Sequence, residues 1–166
     1  NAHDRSRKIR PQDHLPLARY RLRFAVPSGD GRSAPSGSTW RGAFGHALRD
    51  ASCVTGASRC DGCLLRYGCT YAYLFETPPP PNSQKMRRYP AAPHPFLLDP
   101  EGASPAEGRY ALTVPLFGKG SAYLPQVVHA LQQAGRSGIG ARREAFELQA
   151  IEREAGPGTN QWQTVT

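Results

Sequence analysis

The chain has 166 residues, of which 16 are prolines and 17 are glycines, and 39% of its residues are hydrophobic. That length allows one folded domain with a real core, and the composition is typical of a loop-rich globular protein rather than a disordered one. The formal net charge is +8, and all but three of the 21 basic residues are arginines. Arginine binds phosphate through a planar pair of donors, so this charge favours a polyanionic partner, with nucleic acid first. The alternative explanation is a genome composition that favours arginine codons.

Residues 1–14 are polar and basic, and we predict that they form an N-terminal tail. They lack the apolar segment of a secretory signal. No run in the chain approaches the roughly 18 apolar residues that would span a membrane. We therefore expect a cytoplasmic protein with no membrane partner.

Residues 17–26, with the sequence LARYRLRFAV, alternate between apolar and mostly basic side chains. This period of two predicts a half-exposed β-strand with Arg19, Arg21 and Arg23 on its exposed face. A basic sheet face suits single-stranded or hairpin RNA, so these arginines are candidates for RNA binding. The alternative is that they are only solvated.

Residues 38–50, with the sequence STWRGAFGHALRD, place apolar side chains at helical spacing. They predict an α-helix with Ser38 or Thr39 as its N-cap. His46 lies well off the apolar face of this helix, so it is not an obvious core histidine. Without a chemical role, His46 is either solvated or a support for the loop that follows.

All four cysteines follow this helix within one stretch of 17 residues, from the first to the last: Cys53, Cys60, Cys63 and Cys69. Disulfides are disfavoured because nothing indicates export and because the two thiols of a C-x2-C pair rarely form a structural disulfide. A metal centre is the favoured interpretation. Thiolates from one short loop suit tetrahedral zinc and an iron–sulfur cluster equally well.

Shorter elements fill the rest of the chain. We predict a strand at 71–76, a proline-stiffened loop at 78–95, a short apolar segment at 95–99, a strand at 109–117, a helix within 124–135 and a strand at 145–154. Pro125 falls in the first turn of the second helix, and Gly135 falls just past its end.

The order strand, helix, strand, strand, helix, strand is the split βαβ or ferredoxin-like pattern, which is an α+β fold. We place this domain at residues 15–155. The cysteine loop, residues 52–70, is an insertion after the first helix. Residues 156–166 are expected to begin a linker to a second domain.

Several stretches together resemble the RAMP-superfamily endoribonucleases of CRISPR systems, which process the repeat transcript into guide RNAs. They are WRGAFGHALR, the cysteine loop, YAYLFETPPPP, YPAAPHPF, LFGKGSAYLPQVVHAL and GIGARREAFEL, between about residues 15 and 151. Family members generally carry two ferredoxin-like domains, and this chain resembles the N-terminal one. The resemblance implies cleavage of RNA without a metal, by attack of the ribose 2′-hydroxyl on the adjacent phosphorus.

The resemblance also implies roles for particular residues. The family commonly places a histidine near the first helix, so His46 is the candidate for proton transfer. RAMP proteins carry a glycine-rich loop between the second helix and the last strand, and here that junction holds Gly138 and Gly140. The candidates for RNA binding are therefore Arg19, Arg21, Arg23, Arg41, Arg136, Gly138, Gly140, Arg142 and Arg143. His94, in the proline-rich loop, is a further residue that could approach RNA.

The cysteine spacing, with a basic residue before the second cysteine, resembles the iron–sulfur loop of helix-hairpin-helix DNA glycosylases. That resemblance implies a 4Fe–4S cluster, with a zinc ion as the alternative. It does not imply glycosylase activity, because that family needs a helical body and the 52 residues before Cys53 are largely strand-like.

Two other functions stay open. One is a non-catalytic RAMP subunit that binds guide RNA together with other CRISPR effector subunits. The other is an iron–sulfur protein that senses redox state or binds DNA.

Overall fold

A computed structural model describes residues 15–26, 34–82, 91–101 and 108–165. The predicted tail at 1–14 and part of the proline-rich loop lie outside these residues. The described chain has an α+β architecture, as predicted. Its elements are β1 (Leu17–Ala25), α1 (Gly37–Ser52), a π-helical turn (Ala72–Glu76), β2 (Asp99–Glu101), β3 (Arg109–Phe117), a 3-10 turn (Gly118–Tyr123), α2 (Leu124–Ser137), β4 (Glu147–Glu154) and β5 (Trp162–Thr164).

The five strands form one sheet in the order β2-β3-β1-β4-β5, and every neighbouring pair is antiparallel. Strand β1 lies at the centre, so Leu22 pairs with Leu112 of β3 on one side and with Ile151 of β4 on the other. Helix α1 links β1 to β2, which have β3 between them. Helix α2 links β3 to β4, which have β1 between them.

Both helices pack on the same face of the sheet. The even positions of β1 are apolar and buried there, as the alternation predicted. Trp40 of α1 is fully buried, and its ring lies 5.1 Å from the ring of Phe24, 5.8 Å from Tyr110 and 5.4 Å from Phe146. Aromatic packing of this kind joins α1 to three separate parts of the chain.

The prediction of a strand at residues 71–76 is wrong. The segment forms the π-helical turn, which is closed by a 2.7 Å hydrogen bond from the Thr77 amide to the Ala72 carbonyl. Alternate aromatic residues gave a period of two, but Tyr71 and Phe75 instead stack on each other, four residues apart, at 5.5 Å. The second strand of the sheet is Asp99–Glu101.

The predicted helix ends are shifted in the structure. Ser36, not Ser38 or Thr39, is the N-cap of α1, and its hydroxyl accepts a hydrogen bond from the Thr39 amide at 3.2 Å. Helix α2 continues through Gly135 and ends at Gly138. A Cβ at position 135 would collide with the Phe146 carbonyl oxygen. The close approach of Phe146, rather than the end of the helix, therefore explains why this residue is a glycine.

The opposite face of the sheet carries an arginine–glutamate network. Glu152 lies 2.6 Å from Arg21 Nε and 3.4 Å from Arg23 Nη1, and Glu154 lies 2.8 Å from Arg19 Nη1. Trp162 of β5 covers this network, with its ring centre 4.5 Å from the Arg21 guanidinium carbon. The segment 156–166, expected to begin a linker, therefore contributes a strand to the sheet.

We expect Glu152→Gln to lower the free energy of unfolding at pH 7 by about 2 kcal/mol, because it removes charged hydrogen bonds from a largely buried carboxylate. Burial raises the pKa of Glu152, but the hydrogen bonds and charges of Arg21 and Arg23 outweigh it and the net pKa is lowered from 4.5. The stabilisation is therefore present above pH 4.5 and is lost as the pH falls through the lower, folded-state pKa.

Urea unfolding of the wild type and of the Glu152→Gln variant, between about pH 7 and pH 3, measures the effect. Glu147→Gln is the control, since Glu147 is exposed at the start of β4. A deficit of the Glu152→Gln variant that stays constant from pH 7 to pH 3 would contradict the role assigned to this ion pair.

Candidate functional site

The cysteine loop starts at the last turn of α1. Cys53 is the C-cap residue, and its amide donates to the Arg49 carbonyl at 2.8 Å. The Arg49 side chain donates to the carbonyls of Ala57 and Ser58 at 2.5 and 2.9 Å. The first half of the loop is thus held to the helix by one arginine, so the direction of α1 determines where Cys53 lies.

The four thiols line one pocket of about 340 Å³. Thr55 Oγ1 lies 3.8 Å from Cys53 Sγ and 3.8 Å from Cys63 Sγ, so a single hydroxyl joins these two thiols. The Cys63 amide donates to the Cys60 carbonyl at 3.1 Å, which closes a tight turn across the C-x2-C pair. Cys53, Cys60, Cys63 and Cys69 therefore share one pocket, and their binding of a metal centre stays a prediction.

The thiols differ in how easily they ionise. Hydrogen bonds from the Thr55 hydroxyl and the Gly56 amide lower the pKa of Cys53. Burial, followed by the negative charge of Glu76, raises the pKa of Cys60. Cys53 therefore forms a thiolate more easily than Cys60 does.

The donor set fits a thiolate-bound metal group, although the thiols are not at ligand spacing. Among the described residues, no three His, Cys, Asp or Glu side chains lie close enough to hold a metal ion. All four cysteines are free thiols on the same pocket. Arg66 lines that pocket too, and its Nε is buried without a hydrogen-bond partner in the described part of the chain. A sulfur acceptor in the pocket would satisfy this N–H.

The glycine-rich loop is a tight turn between α2 and β4. The amides of Ile139 and Glu144 donate to each other's carbonyls at 2.8 and 3.1 Å. Gly138 has φ +93°, and a Cβ there would lie 2.5 Å from the Arg143 carbonyl oxygen, so only glycine fits. Arg143 itself has φ +51°, an uncommon backbone angle for a residue with a side chain.

This loop faces the N-terminus of α1 across a pocket of about 510 Å³. The pocket is lined by Ser36 and Thr39 on the helix side and by Gly140, Arg142 and Glu144 on the loop side. Arg142 and Arg143 are both exposed, and Arg143 lies next to this pocket in the chain. The helix N-terminus, its hydroxyl groups and the Arg142 guanidinium suit an anion, whereas the Glu144 carboxylate opposes one.

A model for an N-terminal domain family, AF_1859_N, matches residues 15–166. The chain belongs to the AF_1859_N family. The match includes the cysteine loop and the glycine-rich loop in full. No curated protein and no solved structure matches the chain.

The remaining RNA-binding candidates of this AF_1859_N domain lie on three different elements, β1, α1 and α2. Arg19, Arg21 and Arg23 are engaged in the glutamate network, so their RNA binding stays a prediction. The Arg41 guanidinium carbon lies over the rings of Phe75 and Phe96, at 4.7 and 5.1 Å. Arg136 is exposed in the last turn of α2.

His46 is exposed on α1, away from buried Phe44 and Leu48, as its helical position predicted. Seven residues separate it from Thr39, which is about 10 Å along the helix. The side chain of His46 has no hydrogen bond or ion pair with the described residues. The AF_1859_N fold therefore does not bring His46 and the glycine-rich loop into contact.

Sequence reasoning missed Thr77, whose hydroxyl lies 2.9 Å from His94 Nδ1. A threonine in front of a run of prolines belongs to no recognisable motif. Its left-handed backbone, with φ +47°, is visible only in the structure. No helix in the described part of this AF_1859_N domain is long and apolar enough to cross a membrane.

Proposed function

We propose that this chain is the RNA-binding N-terminal domain of a RAMP-type CRISPR endoribonuclease with a ferredoxin-like fold. The glycine-rich loop carries this proposal, because it exposes Arg142 and Arg143 and places Arg142 in a pocket shared with the N-terminus of α1. The sheet order supports the fold, since each helix links two strands that have one strand between them and every pair is antiparallel.

The chemistry of this surface suits the phosphates of RNA. Backbone amides at a helix N-terminus carry partial positive charge, and glycines allow a phosphate to approach the main chain closely. Arginine adds full charge and paired donors. A repeat or guide RNA bound here would cross the N-terminus of α1 and continue along the helix toward His46.

The proposed reaction needs no metal. The ribose 2′-hydroxyl gives its proton to a general base and its oxygen bonds to phosphorus. The bond from phosphorus to the 5′-oxygen breaks, a general acid protonates that oxygen to a 5′-hydroxyl, and a cyclic phosphate remains. His46 is proposed to transfer a proton in this step, and exposure leaves its ring accessible to RNA. Incubating the longest native form of the protein with repeat RNA in EDTA tests the proposal, with a cyclic phosphate product as the expected result.

A non-catalytic RAMP subunit that binds guide RNA within an effector complex is the second candidate. The exposure of His46 and its lack of a hydrogen-bond partner among the described residues favour this reading, because proton-transfer residues are usually oriented by a neighbour. RNA that binds tightly but stays intact in the same EDTA experiment would identify the binding subunit.

We also propose that Cys53, Cys60, Cys63 and Cys69 hold a 4Fe–4S cluster with a structural role, with zinc as the alternative. The shared pocket and the unpartnered Nε of Arg66 support a sulfur-rich group. A cluster that serves redox sensing or DNA binding is a weaker third reading. Duplex DNA that outcompetes RNA for the protein would favour it.

We expect the double substitution of Arg142 and Arg143 by Ala to flatten the dependence of RNA affinity on salt. Each phosphate contact releases counterions and contributes roughly 0.7 to the logarithmic slope for a single strand, so the slope should fall by about one to two units. Filter binding at salt concentrations from about 50 to 300 mM, where RNA affinity falls steeply with salt, measures this change.

Arg153→Ala is the matched control, because Arg153 is exposed on β4 and lies outside the glycine-rich loop. The same slope for the double variant and the wild type would mean that the loop does not touch RNA. The basic face of β1 would then become the better candidate.

A further inference from the structure

A groove of about 940 Å³ runs between the cysteine loop, the proline-rich segment and the end of β3. Its walls combine aromatic rings, prolines and cations: Tyr67, Tyr73, His94, Pro78, Pro93 and Lys119. Neither the glycine-rich loop nor His46 is among the described residues that line it. The groove is therefore a separate surface from the one on which the proposed function rests.

Thr77 engages one ring nitrogen of His94. Thr77 Oγ1 lies 2.9 Å from His94 Nδ1 and 3.3 Å from the Leu74 carbonyl oxygen. Nδ1 is thus occupied by Thr77, and Nε2 is the ring nitrogen left for a ligand.

His94 is also held in its neutral form. Burial, followed by the positive charge of Arg41, lowers the pKa of His94, and this outweighs the opposite effects of the Leu74 carbonyl and Glu76. The lowered pKa favours a neutral imidazole in the groove.

Thr77 is held in a strained conformation that serves this contact. Its φ of +47° is rare for a β-branched residue, and the π-helical turn Ala72–Glu76 that precedes it is a rare element. Both features cost free energy and occur frequently at functional sites. Here they bury the Thr77 side chain and direct its hydroxyl to His94.

The described lining of the groove carries two cations, Arg66 and Lys119, and no Asp or Glu. Arg66 is paired with Asp61, which lies outside this lining, at 2.9 Å. Tyr67 is 60% exposed, so its ring is open to stacking, and Tyr73 is stacked on Tyr123 at 4.9 Å. Aromatic faces between cations are typical of surfaces that bind single-stranded nucleic acid, whereas an apolar peptide would have no use for the cations.

We propose that this groove binds single-stranded RNA, with a base stacked on Tyr67 and a ribose 2′-hydroxyl in a hydrogen bond with His94 Nε2. His94 is then a specificity residue that favours RNA over DNA, since only RNA carries that hydroxyl. The inference rests on the proposed function in that the ligand is RNA, but it assigns a second contact surface and a discriminating residue.

Fluorescence anisotropy with a uridine decamer and a deoxyuridine decamer tests this assignment. Wild-type protein should prefer the ribose decamer. His94→Ala should weaken RNA binding about three- to tenfold and leave DNA binding nearly unchanged, as expected for one lost hydrogen bond. Tyr67→Ala should weaken both about fivefold to a hundredfold, because it removes a stacking surface. The matched controls are His129→Ala and Leu64→Ala, two exposed positions outside the groove.

A second measurement uses the unaltered protein, so it does not depend on the variants folding. A decamer carrying 5-iodouridine should crosslink, under ultraviolet light, to a peptide that contains Tyr67, Tyr73 or His94. Crosslinks confined to residues 136–144, together with wild-type affinity of both groove variants, would overturn the groove and leave the glycine-rich loop as the RNA site. Absence of any RNA affinity in the wild type would overturn the proposed function as well.

Discussion

Protein purified without oxygen should be brown and absorb broadly near 400 nm, roughly where charge transfer from thiolate to iron falls. Replacing any one of the four cysteines by serine should remove the colour, and the loop should lose its protection against proteases. The reason is that Cys53, Cys60, Cys63 and Cys69 line a single pocket, so a group held there joins both halves of the loop. Binding of a thiolate-held group to a folded site contributes directly to its stability.

Leu64→Ser is the control for the cysteine variants, because Leu64 is fully exposed at the tip of the same loop. Its colour and protease resistance should match those of the wild type. A colourless protein with one zinc per chain would mean that the four cysteines bind zinc instead of a cluster. Four thiols that react at once with an alkylating reagent in metal-replete native protein would contradict any metal centre.

His46→Ala should slow single-turnover cleavage of repeat RNA by about a hundredfold to ten-thousandfold, which is the usual loss when one general acid or base is removed. RNA affinity should hardly change, because His46 is exposed and has no hydrogen bond among the described residues. Rapid-quench kinetics with enzyme in excess over RNA measures the chemical step. EDTA should have no effect on the rate of the wild type.

His129→Ala provides the comparison for this variant, since His129 is also exposed on a helix, α2. Cleavage at the wild-type rate by His46→Ala would move the proton transfer to a tyrosine or to His94. RNA that is bound but never cut by the wild type would make the chain a binding subunit, with His46 serving the fold.

The regular elements were predictable because their patterns are local. The alternation in residues 17–26 and the helical spacing in 38–50 each report which side of one element is buried, and the structure agrees. The segment 71–76 was wrongly predicted as a strand, because its aromatic pattern also fits a helical turn in which Tyr71 stacks on Phe75. Periodicity alone does not separate these two solutions in six residues.

The candidate site was predictable only where its residues are close in sequence. The four cysteines and the glycine-rich loop are compact motifs, and each lies on one surface. The partners of the β1 arginines were hidden because Arg21 and Glu152 are 131 residues apart. The contact of Thr77 with His94 depends on a backbone angle that no sequence pattern specifies.

Among the described residues, the sheet ends on both sides in strands of three residues, β2 and β5. Unpaired main-chain groups at such an edge are what another chain would use to add a strand, and short edges give it few hydrogen bonds. Pro100 removes one donor from β2, and Asp99 and Glu101 on either side of it add negative charge. Both edges of the described sheet are therefore poor templates for an added strand, which discourages fibrous association.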